Sequence, residues 1–257
     1  MLAFLAARAV EGVEQVKGGR YRRTLAAGWI EVAHLPDEGC LLLAGTDPEA
    51  EAPRVRALFD LDADVEASAA HLARDPMLAP LIAARPGLRV PGGWEGFEVA
   101  MRAVLGQQVS VAAARRLLGT LVRLCGSRGF PTAAQVHAAD LGALGMPGAR
   151  RATLQAVAAA ALEDPLLFAR KDTVEATVAR LRAIPGVGEW TAQYIALRGA
   201  REPDAFPSGD LGLLRGAAGP GKRPTPAELL IRAERWRPYR AYAAQHLWTE
   251  DVQRMRS

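Results

Sequence analysis

At 257 residues, half of them hydrophobic, and with a mean hydropathy of +0.02, the chain can bury the core of one large domain or a few small ones and carries no run apolar enough to cross a bilayer. Its two cysteines, Cys40 and Cys125, lie too far apart in sequence to suggest a disulfide framework and cannot by themselves hold a zinc or iron–sulfur cluster. The net charge of +4 is uneven: residues 1–100 carry 10 Lys+Arg against 15 Asp+Glu, residues 101–257 carry 22 against 13, and a basic second part of that size suits a polyanion.

Met1 to Val10 is apolar but short, lacks a basic leader and is broken by Arg8, so it does not read as a signal peptide, and we expect a cytoplasmic protein. From Tyr21 to about Ala44 the pattern is strand-like, with runs at Trp29–Leu35 and Cys40–Leu43 around a Pro36-Asp37-Glu38-Gly39 turn, which predicts a small antiparallel sheet. Helices are predicted at Pro53–Leu61 and Asp64–Arg74, then a Gly/Pro-rich linker at Pro86–Gly93. Beyond it the spacing predicts helices at Trp94–Leu105, Val111–Leu124, Ala149–Leu162, Thr173–Ala183, Glu189–Gly199, Ala227–Arg237 and Arg240–Asp251. Asp172 with Glu175, and Thr225-Pro226-Ala227-Glu228, read as helix starts, while Pro203–Ser208 and Gly216–Pro226 read as loops.

The most informative stretch runs from Leu181 to Ala192. A helix should end near Ala183, Pro185 cannot extend it, and Gly186 and Gly188 open a turn into the next helix. Such a hairpin points backbone N–H groups outward at a helix start, a grip for phosphate, although Gly-x-Gly alone reads equally well as a ligand-free turn. Asp210 precedes an apolar run, so from the residues alone it is a helix cap or a carboxylate available to chemistry. Trp190 and Tyr194 lie one turn apart and share a face, as core residues or as an aromatic wall. Gln107 and Gln108 read as a capping loop with two solvated side chains, and no pair among His34, His71, His137 and His246 has metal-ligand spacing.

Ile184-Pro185-Gly186-Val187-Gly188-Glu189-Trp190-Thr191-Ala192, with Asp210 downstream, resembles the helix-hairpin-helix plus Gly/Pro-rich loop and Asp signature of base-excision DNA glycosylases. Met1–Glu14, Arg85–Ala112, Ala143–Arg151, Gln193–Gly199 and Ala233–Glu250 resemble the AlkA type within that superfamily, so the likeness covers nearly the whole chain. It implies an α+β fold: an N-terminal antiparallel (TBP-like) sheet domain at 1–74, a helical domain at 94–202 carrying the hairpin, and a second helical domain from 75–93 and 203–257. Relative to the family the chain begins late, inside the first strand or the loop after it, which implies a sheet without one edge strand or a former fusion.

The resemblance further implies roles. Asp210 would be catalytic; Trp190, Tyr194, Trp248, Phe4 and Gln107 would line the base pocket; Gln108 would wedge into the duplex. Gly186, Val187, Gly188, Glu189 and Thr191 would bind DNA, and the carbonyls of Arg182, Ile184 and Val187 would hold a structural Na+ or K+, with no cofactor required. Trp190 stands where strand-cutting relatives carry an attacking lysine, and the three lysines, Lys17, Lys171 and Lys222, lie outside the hairpin, which implies a monofunctional enzyme. The implied activity is excision of alkylated bases such as 3-methyladenine from duplex DNA in base excision repair, by base flipping and Asp-assisted hydrolysis. The implied partner is damaged double-stranded DNA, met by a monomer, with no membrane. Leu211-Gly212 replaces the aromatic frequent after the acid, so a glycosylase for deaminated or oxidised bases stays open, as does a non-catalytic DNA-binding module.

Overall fold

In the computed structural model, which describes residues 1–219 and 222–255, the first residues are helical. Helix α1 (Leu2–Arg8) replaces the strand or loop expected there: Leu-Ala-Phe-Leu-Ala-Ala-Arg has no β-branched residue, and Leu5 is buried on its inner face. Strands β1 (Glu14–Lys17), β2 (Arg20–Leu25), β3 (Gly28–Leu35) and β4 (Cys40–Gly45) then form an antiparallel sheet in chain order. Tyr21 pairs with Val16 on one side and Val32 on the other, and Ile30 pairs with Arg23. Strand β1 escaped prediction because Glu-Gln-Val-Lys holds a single apolar residue. The Pro36–Glu38 turn is as predicted, closed by Gly39 at φ 64°.

Helix α2 (Pro48–Phe59) begins earlier than the predicted Pro53, because the Asp47 carboxylate accepts from Ala50 N and Pro48 occupies the first turn. Its Val55, Leu58 and Phe59 close over Tyr21, Ile30 and Val32 of the sheet and Leu5 of α1. Each such burial contributes about 1.5–3 kcal/mol relative to exposure. Helices α3 (Val65–Leu72) and α4 (Ala79–Ala83) follow, and Leu72 already belongs to a second, larger core.

That core is built by α5 (Gly96–Leu105), α6 (Val111–Leu124), α7 (Ala133–Ala138), α8 (Gly148–Glu163), α9 (Val174–Arg182), α10 (Glu189–Arg198), α11 (Leu211–Gly216), α12 (Pro226–Ala233) and α13 (Arg240–Arg254). The start of α9 is a correction: Thr173, not Asp172, is the cap, its hydroxyl accepting from Ala176 N at 3.1 Å. The cap over Thr225–Glu228 is as predicted. Of the predicted loop Gly216–Pro226, Gly216 closes α11, and residues 220 and 221 lie outside the described residues.

The two cores are joined by buried charge. Glu98 on α5 accepts from Arg23 on β2 and from Arg102 one turn along, and Arg102 also donates to Glu14 at 2.6 Å. Arg102 and Arg115 further donate to the carbonyls of Arg8 (2.9 Å) and Ala9 (2.8 Å), where the end of α1 leaves acceptors free. Helix α1, which carries Phe4, is therefore fixed by side chains about a hundred positions away in sequence.

Candidate active site

The α9–α10 hairpin has its shape from one glycine. Gly186 has φ +84°, and a Cβ there would lie 1.9 Å from Thr153 Oγ1 on α8, so neither the backbone angle nor the packing admits a side chain. Gly188 caps α10 in an extended conformation with nothing within 4 Å of a Cβ position, so its lack of a side chain matters only for what approaches from outside. Val187 and Thr191, predicted to meet DNA, turn their side chains inward, which leaves their backbone for that task. Glu189 is exposed and pairs with Arg182 at 3.1 Å. The two glycines therefore predict different outcomes. Gly186→Val is expected to lower stability by about 2 kcal/mol or more. Gly188→Val should leave the melting temperature nearly unchanged and weaken binding to damaged and undamaged duplex by the same factor, because phosphate contacts carry no base information. Thermal melts beside duplex titrations check both.

Asp210 lies at the start of α11 with every partner a donor. Its Oδ1 accepts from Gly212 N (2.8 Å), Leu213 N (3.1 Å) and Trp248 Nε1 (2.8 Å), and its Oδ2 accepts from Trp190 Nε1 (2.9 Å). The two sequence readings of Asp210 are thus one arrangement: the cap holds Oδ1, while Oδ2 keeps a lone pair for the cleft. The loop before it is anchored by Gln193 of α10, whose Oε1 accepts from Phe206 N at 2.9 Å. Gly212 makes the Trp248 contact feasible, since a Cβ there would meet the indole Cδ1 at 3.0 Å.

Four of the five predicted pocket residues come together. Trp190 and Tyr194 on α10 stack with centroids 5.3 Å apart, Trp248 on α13 meets Tyr194 edge-on at 6.4 Å, and Phe4 joins them from α1. With Asp210 they line a cleft of about 1640 Å³. The fifth, Gln107, is not among its lining residues; its Nε2 donates to Thr191 Oγ1 at 2.8 Å and ties the α5–α6 loop to α10. Gln108 at the tip of that loop is exposed with φ 57°, an angle a non-glycine residue adopts at a cost of about 1 kcal/mol. The rival carboxylate, Asp204, is buried and faces Arg240 at 2.8 Å and Arg237, which makes it a structural anchor for α13. No lysine among the described residues lines the cleft.

Sequence reading missed Arg198, which lies beneath the rings, four residues after Tyr194 and eight after Trp190 on the same helical face. That spacing was the available signal. It also missed Arg215 of α11, held against Asp251 of α13 by two bonds of 2.8 Å at the edge of the cleft.

The small antiparallel sheet, the larger helical core, the glycine hairpin between α9 and α10 and the carboxylate in an aromatic-walled cleft fit the class of helix-hairpin-helix DNA glycosylases. Residues 1–95 match the family model described as the AlkA N-terminal domain. Over 268 residues the chain is 41% identical to DNA-3-methyladenine glycosylase 2 of Escherichia coli, spanning 96% of this chain and 92% of that one. It is 40% identical over 262 residues to the probable bifunctional transcriptional activator/DNA repair enzyme AlkA of Mycobacterium tuberculosis, covering 95% of this chain but only 53%, about half, of that relative. Among solved structures, the 3-methyladenine DNA-glycosylase from Archaeoglobus fulgidus superposes with a TM-score of 0.81 at 20% identity, over 98% of this chain and 93% of that one, a likeness of fold. The chain belongs to the AlkA-type family of helix-hairpin-helix DNA glycosylases.

Proposed function

We propose that this protein is a monofunctional DNA glycosylase that releases alkylated bases, such as 3-methyladenine, from duplex DNA. The observation that carries the reading is the Asp210 carboxylate, held by two indole N–H groups and two backbone amides at the wall of an aromatic cleft. Cleaving an N-glycosidic bond builds positive charge on the sugar, and a preorganised carboxylate stabilises that charge or takes a proton from the attacking water. A flipped base has rings to stack on in Trp190, Tyr194, Trp248 and Phe4, and a lesion that weakens base pairing lowers the cost of flipping. Gln108, exposed at the loop tip, is suited to fill the gap left in the duplex and to hydrogen-bond the orphaned partner base. With no lysine in the cleft, an abasic site is the expected product. The relatives named for 3-methyladenine support the substrate class.

The same reading assigns the outer hairpin backbone to phosphate. The carbonyls of Arg182 and Val187 accept no backbone hydrogen bond, and that of Ile184 accepts one, from Val187 N at 3.1 Å, leaving an oxygen set suited to Na+ or K+. Such an ion would neutralise a phosphate at the hairpin and takes no part in the chemistry. We read the protein as a cytoplasmic monomer, and no helix among the described residues is long and apolar enough to cross a membrane. The test is incubation with duplex carrying methylated purines, with products resolved as free base or nicked strand. Free base from an intact, alkali-labile strand is the expected result. Duplex binding with no release from methylated or other damaged bases would overturn the enzyme reading in favour of a binding module.

A further inference from the structure

Several arginines line the cleft, and most are already engaged. Arg56 faces Asp62, Arg85 faces Glu250, Arg102 faces Glu14 and Glu98, and Arg215 faces Asp251. Arg198 is buried beneath the rings, donating to Pro91 O (2.7 Å) and Gln245 Oε1 (3.0 Å), and the half-buried Arg8 stacks on Phe4 with its guanidinium carbon 3.9 Å from the centroid. Arg115 of α6 differs: it is exposed, and no carboxylate among the described residues pairs with it. Its Nε donates to Ala9 O at the end of α1 (2.8 Å), which fixes the guanidinium and leaves both Nη groups without a hydrogen bond among the described residues. That free edge is a fork suited to two oxygens of one phosphate. Helix α6 carries no acidic residue, Arg116 beside Arg115 is exposed as well, and the small side chains of Ala112, Ala113 and Ala114 let a nucleic-acid backbone come close. Helix α5 packs against both α10 and α6, which do not pack on each other, and all three line the cleft. Arg115 and the hairpin that opens α10 therefore stand on different walls, with the Gln107–Gln108 loop joining α5 to α6.

We propose that Arg115, with Arg116 beside it, grips a phosphate of the lesion strand on the flank of the flipped nucleotide that the hairpin does not hold. The inference rests on the glycosylase reading of the cleft. A flipped nucleotide is uphill of the stacked duplex, and a strand held on one flank alone is free to swing back. A second anchor across the cleft restricts that return and keeps the sugar in place before Asp210. Arg115 touches neither the base nor the reacting atoms, so it is a positioning residue. Its charge acts on the backbone, which carries no base information, and it therefore serves every lesion alike. The uneven charge of the chain has a local meaning here: an acid-free helix faces the path of the strand.

The experiment measures binding to a duplex with a stable abasic-site analogue, in which single phosphates around the site are replaced by neutral methylphosphonates, for wild type, Arg115→Gln, Arg115→Lys and Gly188→Val. Arg115→Gln is expected to weaken binding roughly three- to tenfold and to lower the slope of log affinity against log salt by about one, while Arg115→Lys keeps the slope. Arg115→Gln should also become insensitive to neutralisation of one phosphate. That phosphate should lie in the lesion strand, across the abasic site from the one to which Gly188→Val becomes insensitive. An unchanged salt slope, or lost sensitivity on the hairpin flank or in the complementary strand, would overturn the inference and leave Arg115 as a brace for α1. If Arg115→Gln does not fold, the wild type decides: sensitivity to neutral phosphates on both flanks supports the second grip, and sensitivity on one flank alone refutes it. Base release from methylated duplex is scored separately. A wild type that shows the two-flank pattern and releases no base overturns the glycosylase reading and keeps the grip, whereas release without the pattern does the reverse.

Discussion

Replacing Asp210 with Asn is expected to slow base release by on the order of 10²–10⁴-fold while changing duplex affinity by no more than a few-fold. The substitution preserves size, and the amide oxygen can take over the three donors now on Oδ1, from Gly212, Leu213 and Trp248. The amide nitrogen then faces the Trp190 indole N–H, a donor against a donor, where Oδ2 now accepts at 2.9 Å. The cap of α11 survives, and on the proposed reading what is lost is the negative charge facing the sugar as it becomes positive. Single-turnover release beside binding to a duplex with an abasic site separates the two effects. A variant that binds normally and cleaves at the wild-type rate would remove Asp210 from the mechanism.

The second large effect is on stability. Glu98→Gln is expected to destabilise the protein by about 3–5 kcal/mol at neutral pH, because it leaves Arg23 and Arg102 without the carboxylate between them. Burial alone would push the Glu98 carboxyl up, but Arg23 and Arg102 outweigh it and hold it below the ordinary carboxylate value. The sign follows from that. Its contribution is fully present above the unfolded-state pKa of about 4.3 and is lost as pH falls through the lower folded value. The difference between wild type and variant should therefore shrink in acid, as urea unfolding at pH 7 and below pH 4 would measure. A destabilisation below about 1 kcal/mol would mean that the surrounding hydrogen bonds, not the charge, hold the sheet to α5. Because the same network ends on the Arg8 carbonyl of α1, the variant should also loosen the Phe4 wall of the cleft.

Much of this was legible before any coordinates. The Pro36–Gly39 turn, the Gly/Pro linker, the cap at Thr225 and the hairpin at Pro185–Gly188 are local devices, and each stands where residue chemistry puts it. The short elements were not legible. Helices α4, α7 and α11 have only five or six residues, too few to be stable alone, and exist because neighbours bury them. Helix α11 mattered most, since its first amides hold the Asp210 carboxylate in place.

Of the site, the sequence by itself placed Asp210 downstream of the hairpin, put Trp190 and Tyr194 on one face of α10 and kept all three lysines outside the hairpin, because hairpin spacing and helical period are properties of adjacent residues. Only the tertiary structure decided which atoms the acid meets, that Gln107 braces Thr191 instead of lining the cleft, and that an unpaired cation lies under the rings. Those facts join Phe4, Pro91, Arg198, Gln245 and Trp248, drawn from α1, the linker, α10 and α13. Electrostatics depends on distance through space, and sequence separation does not measure that distance.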